Sequence, residues 1–94
     1  MTSLTIPGNK KSKGVTIIFP YEGINVTIFL LHCNQMIEDY HVPGYWRTGQ
    51  LLVNTAAALF SDRVRDIVNF HKEVDCFYDD SKCQEFINLL FERE

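Results

Sequence analysis

No run of about 18 uninterrupted apolar residues occurs anywhere in the 94-residue chain, so a membrane-spanning helix is not expected. The lysine-bearing start has no apolar stretch behind it, so a secretory leader is not expected either, and the reading is a soluble, cytoplasmic protein. Cysteine is scarce and odd in number (Cys33, Cys76, Cys83), which argues against a disulfide framework and for buried small apolar thiols. Cys76 and Cys83 taken with His71 lack the C-x2-4-C spacing of a zinc knuckle, so no metal and no cofactor are expected. There is no glycine-rich phosphate cradle, no H-E-x-x-H, and no serine or cysteine in a strained elbow. His32, His41 and His71 are scattered, and the expectation is that the chain is not an enzyme. Asn25-Val26-Thr27 fits a glycosylation pattern that has no use without export.

What is present starts with charge. Nine bases against twelve acids leave −3, which excludes a basic footprint over the whole molecule. Lys10, Lys11 and Lys13 put +3 into residues 1–14, and residues 15–94 then hold six bases against twelve acids, or −6. Residues 1–14 read as a flexible lysine-bearing arm and residues 15–94 as a single helical domain, the length supporting about one domain.

Val15 to Phe19 is a β-branched run closed by Pro20 and Gly23. Residues 24–28 alternate with period two and would make a hairpin with it. Yet Val26, Phe29, Leu30, Cys33, Ile37 and Tyr40 continue as a helical stripe, with Asn25 as N-cap, stopped by Val42-Pro43-Gly44. The longer pattern predicts a helix over 26–40. A second helix is expected over 45–60, with Gly49 in its interior. Glycine there costs about 1 kcal/mol relative to alanine and predicts a neighbour packed against the backbone. Ser61 and Asp62 open a third helix reaching His71. A connector over 72–80 follows, and Ser81 with Gln84 has capping-box spacing ahead of a final helix carrying Cys83, Phe86, Ile87 and Leu90. The fold class expected is mainly α, a small four-helix antiparallel bundle with an extended N-terminal arm; the alternative is α+β with an N-terminal hairpin over 15–30.

Two pieces of text, Trp46-Arg47-Thr48-Gly49-Gln50 with Leu52 and Asn54 behind it, and Asp75-x-Phe77-Tyr78-Asp79-Asp80-Ser81, carry a resemblance. Together they resemble a group of small bacterial, phage and mobile-element proteins of no assigned activity, which pair a W-R-x-G-Q helix with a D-P-F-Y connector. The likeness spans about residues 27–93, with Cys76 where proline is usual and residues 1–25 extra. It implies a mostly helical domain and a mobile-element origin, and no reaction.

The aromatic and acidic connector has two readings. Asp75, Phe77, Tyr78 and Asp79 with Trp46, Arg47 and Gln50 could form a partner-binding face. Alternatively, Phe77 plugs a gap between helices, Asp79 or Asp80 caps the last helix, and Arg47 bridges to Asp75 or Asp79; this structural reading is preferred. The function expected is a non-enzymatic protein-interaction module acting on a host protein, interference with a defence complex being one version. The alternative is a nucleic-acid accessory protein using Lys10, Lys11 and Lys13, since the third helix is electrically neutral. Trp46, Phe60, Phe70 and Phe91 exceed what a small monomer readily hides, which leaves a symmetric homodimer open.

Overall fold

In the computed structural model, which describes residues 2–40, 42–77 and 79–91, four helices and an N-terminal hairpin enclose one core. The strands are β1 (Thr2–Ile6) and β2 (Val15–Phe19). The helices are α1 (Ile24–Glu38), α2 (Thr48–Leu59), α3 (Ser61–Phe70) and α4 (Cys83–Leu90), with short 3-10 turns at Lys72–Val74 and Asp80–Lys82 between α3 and α4. The chain is mainly helical, but the hairpin makes it closer to the α+β alternative than to a pure four-helix bundle.

The hairpin corrects two expectations. The strand opposite Val15–Phe19 is Thr2–Ile6, in the register Thr2 to Phe19 through Ile6 to Val15, and residues 24–28 are helical. The residues expected as a flexible arm therefore hold β1 and an ordered loop. The reason is in the text Thr-Ser-Leu-Thr-Ile: Leu4 and Ile6 fall on the face that carries Ile17 and Phe19, so the short run has a core to join. Ile6, Ile17 and Phe19 are buried. The loop over 7–14 is shaped by Asn9, whose Oδ1 accepts the Lys11 N–H at 2.8 Å, and by Gly14 at φ +83°, a left-handed conformation that favours glycine.

Helix α1 starts two residues earlier than expected, with Gly23 rather than Asn25 at the N-cap, and its core stripe is Val26, Phe29, Cys33 and Ile37. Helix α2 starts later, at Thr48 rather than 45. The Trp46 N–H closes a turn on Pro43 O at 3.1 Å, and Arg47 is extended at φ −100°, ψ 167°. Helix α3 ends within a residue of expectation. The supposed Ser81/Gln84 capping box does not form. Instead the Gln84 amide crosses to the free edge of β2, accepting the Ile18 N–H at 2.8 Å and donating to Ile18 O at 2.6 Å. One side-chain amide thus supplies the pair of bonds a third strand would make.

The core is sealed by aromatic rings. Phe29 lies 6.5 Å from Phe19, 5.6 Å from Phe91 and 6.5 Å from Phe60, and Tyr21 meets Phe91 edge-on at 6.2 Å. Of the four aromatics thought hard to hide, Phe91 is buried, Trp46 and Phe60 are half-buried, and Phe70 is exposed. No helix among the described residues is long and apolar enough to cross a membrane.

Candidate functional site

The first turn of an α-helix leaves N–H groups without intrahelical partners, and at α2 the surrounding chain supplies them. The Gln50 side chain reaches back to accept the Arg47 N–H at 2.8 Å, and Asp80 Oδ1 accepts the Gly49 N–H at 2.9 Å. Thr48 Oγ1 donates to Ile6 O at 2.7 Å and Asn9 Nδ2 to Trp46 O at 2.7 Å, tying the hairpin to the same turn. The expected close neighbour of Gly49 is the connector: a Cβ there would stand 1.9 Å from Cys76 O. Gly8 presses equally close on the other side, where a Cβ would stand 2.2 Å from the Arg47 carbonyl carbon. The W-R-T-G-Q text is thus the joint at which the hairpin loop, α2 and the connector meet.

Arg47 is where the sequence expectation needs correcting. Its guanidinium donates from Nη2 to Phe77 O at 3.0 Å, and its Nε lies 4.0 Å from Asp80 Oδ1. The expected bridge to Asp75 or Asp79 is not the ion pair formed. Asp75 is occupied locally, its Oδ1 accepting the Phe77 N–H at 3.0 Å. Asp79 caps the following 3-10 turn, accepting from Ser81 N at 3.0 Å and from Ser81 Oγ at 2.6 Å. Those two Ser81 bonds, the hydroxyl first, hold the Asp79 carboxyl below the usual aspartate range, with smaller attractions from Lys82 and Arg47. Asp79 or Asp80 was expected to cap α4; Asp79 instead caps the 3-10 turn ahead of it, Asp80 serves the start of α2, and the α4 N-cap, Lys82, makes no side-chain cap bond. Trp46, Arg47, Gln50 and Phe77 are therefore gathered around one joint, whereas the Asp75 and Asp79 carboxylates bond within the connector; Tyr78 and His41 lie outside the described residues.

The thiols are core groups. Cys33, Cys76 and Cys83 are free and buried. Burial pushes the Cys33 thiol up to about 12, and a hydrogen bond with Cys83, together with burial, raises that of Cys76. His71 stands apart at the surface, with its Nδ1 3.8 Å from Glu73. Lys10, Lys11 and Lys13 are exposed on the 7–14 loop that Asn9 anchors.

The surface feature that sequence reading missed is on α1. Beside its buried stripe it carries a second one, Ile24, Ile28 and Leu31 at i, i+4 and i+7, which are 76%, 42% and 66% exposed. Residues 24–37 contain no Asp, Glu, Lys or Arg. A helix apolar on two faces is ordinarily covered on both. Next to it an apolar groove of about 260 Å³ runs between β1 and α1, lined by Leu4, Ile6, Pro7, Leu30, Cys33 and Ile37 among others. The signal was in the text: the alternation Ile24, Val26, Ile28 that competed with the helical stripe is what a helix with apolar residues on two faces produces over its first turns.

Comparison with protein-family models, curated proteins and solved structures finds no match to this chain.

Proposed function

We propose that the chain is a protein-interaction module that docks through the uncovered apolar face of α1. The observation that carries this is the Ile24, Ile28, Leu31 stripe, exposed on a helix without Asp, Glu, Lys or Arg over residues 24–37, whose opposite face is used in the core. The Asp75–Asp79 connector is the weaker candidate, because the Asp75 and Asp79 carboxylates are spent on bonds within the connector and its 3-10 turn, and the Arg47 guanidinium on Phe77 O. In its finer version, drawn from the resemblance of the W-R-T-G-Q and connector text, the chain comes from a phage or mobile element and acts on a host protein. The test is Leu31→Lys and Ile28→Lys. Both sites are exposed, so the fold should hold within about 0.5 kcal/mol while association is lost. Sedimentation and capture from bacterial lysate read this out. A wild-type chain that neither self-associates nor retains any protein sinks the proposal.

A second reading, binding of nucleic-acid phosphates, rests on Lys10, Lys11 and Lys13 being presented together on an anchored loop. Deleting the segment would remove β1, so the informative variant is the triple alanine substitution. It should abolish a low-salt mobility shift, and no shift in the wild type rejects this reading.

A further inference from the structure

We propose that the docked chain is a second copy of this one, joined edge to edge through β1 in an antiparallel pairing centred on Leu4. This rests on the docking reading above and names its partner.

The backbone directions are set by Gln84. Because its amide takes both the N–H and the C=O of Ile18, those groups point away from β1, so Ile18 and its partner Ser3 form a non-hydrogen-bonded pair. By the two-residue alternation of strands, Thr5 opposite Thr16 is the same kind of pair, as their hydroxyls meeting at 2.9 Å across the strands agrees with. The N–H and C=O of Ser3 and of Thr5 therefore point out of the sheet. Among the described residues none bonds to them, and Ser3, Leu4 and Thr5 are all exposed. Natural edges are blunted with lysine, proline or a bulge; Thr2–Ile6 has none of these.

The free edge is complementary to itself. A two-fold axis at Leu4 sets Ser3 opposite Thr5 of the other copy and Thr5 opposite its Ser3, so that four N–H···O=C bonds satisfy every outward group of both residues. Leu4 then faces Leu4 on the core side of a continuous four-stranded sheet. The pairing also stops at two, since each β1 edge is consumed and the outer edge of β2 is held by Gln84.

The flank of α1 suits the same partner. Thr27, Leu31, Asn34 and Glu38 recur at i, i+4, i+7 and i+11, and Asn34 and Glu38 line the groove beside β1, which aims Leu31 past that edge. From residue 2 to 9 and from 24 to 37 there is no Asp, Glu, Lys or Arg, so with Glu38 at the end of the flank as the one carboxylate lining the groove, the surface offers a charged protein or a nucleic acid little to complement and sets little like charge against a copy of itself. Leu4, Ile24, Ile28 and Leu31, exposed at 37%, 76%, 42% and 66%, offer on the order of 400 Å², about half of the ~800 Å² each partner gives a standard interface. The strand edge, Thr27 and Asn34 add to that.

Sedimentation of the full chain over a concentration series should give twice the 10.9 kDa chain mass. Thr5→Pro deletes an N–H that the β1–β2 ladder does not use. With two symmetry-related bonds lost it should weaken the dimer about thirtyfold, whereas Thr5→Val, which keeps the N–H, should not. Under a mild oxidant Leu4→Cys should cross-link to itself and Ser3→Cys should not. Circular dichroism confirms that each variant stays folded. A wild-type monomer throughout the series overturns the dimer; if that monomer still captures a protein in a Leu31-dependent way, the docking face stands without it. A dimer indifferent to Thr5→Pro and without the Leu4 cross-link overturns the β1 pairing. A dimer that passes both tests but ignores Leu31→Lys upholds the strand pairing and removes α1 as the docking face.

Discussion

Replacing Gly49 by alanine tests the joint on which the fold turns. In an exposed helix interior this substitution stabilises by about 1 kcal/mol, because glycine has the poorest propensity after proline. At Gly49 the new methyl would stand 1.9 Å from Cys76 O and 3.0 Å from Asp80 Oδ1, so the Cys76 peptide has to retreat by roughly 1.5 Å to reach ordinary contact. The obstruction is backbone, and it is held from both ends: Cys76 Sγ lies 3.7 Å from Gly49 O, and Asp80 is bound to Gly49 N–H. Overpacking of this kind costs about 1–3 kcal/mol, and disturbing the Asp80 bond adds about 1. After the propensity gain the net loss is about 1–3 kcal/mol, a substantial part of the total stability of a domain this small. At roughly 4–8 °C per kcal/mol the thermal midpoint should fall by between about 4 and 24 °C. Gly44, with nothing within 4 Å of a Cβ, is the matched control, and its alanine variant should melt within a few degrees of wild type. Thermal and urea unfolding of both variants measure this. A Gly49→Ala protein as stable as wild type would refute the close approach and, with it, the account of why the W-R-T-G-Q text holds a glycine.

Two further outcomes follow from the joint. A double-mutant cycle should find a coupling of about 0.5 kcal/mol between Arg47 and Asp80, whose side chains are 48% and 33% exposed, and none between Arg47 and Asp75. The reverse ranking would restore the bridge expected from sequence. Asp79, whose carboxyl the Ser81 hydroxyl holds below the ordinary range, contributes stability that is present above the unfolded aspartate pKa and is lost as pH falls through its lower folded value. Carboxyl NMR titration should place Asp79 below the ordinary aspartate value, and Ser81→Ala should move it back up; an unshifted Asp79 in the wild type would contradict the capping geometry.

Much of the local architecture was legible without coordinates. Of the stripe expected on α1, Val26, Phe29, Cys33 and Ile37 are buried, Leu30 is half-buried, and Tyr40, beyond the helix end at Glu38, is exposed; Cys83, Phe86, Ile87 and Leu90 are buried as their spacing implies, and α3 begins where Ser61 announces it. The close packing on Gly49 was foreseen, although the glycine is the second residue of α2 and not in its interior as expected. These are properties of one segment and its period, which the residues of that segment dictate through side-chain volume and backbone propensity. What could not be read is which segments meet. Thr2–Ile6 looks like the front of a polar tail until Val15–Phe19 offers it a ladder. Gln84 looks like half of a cap until α4 brings it to Ile18, and Arg47 is nearest Asp80 rather than Asp75 because the connector bends back over α2.

The candidate surface divides the same way. That residues 24–37 carry two apolar stripes and no Asp, Glu, Lys or Arg is written in the sequence. Which of the two stripes the core takes, and that the other is left beside an open strand edge, was decided only when α2 packed on one side of α1 and, among the described residues, Ile24, Ile28 and Leu31 stayed exposed. Periodicity along one segment depends on neighbours in the chain. Coverage depends on how many elements a chain of this length has to spend on each face, a question that only the assembled tertiary structure answers.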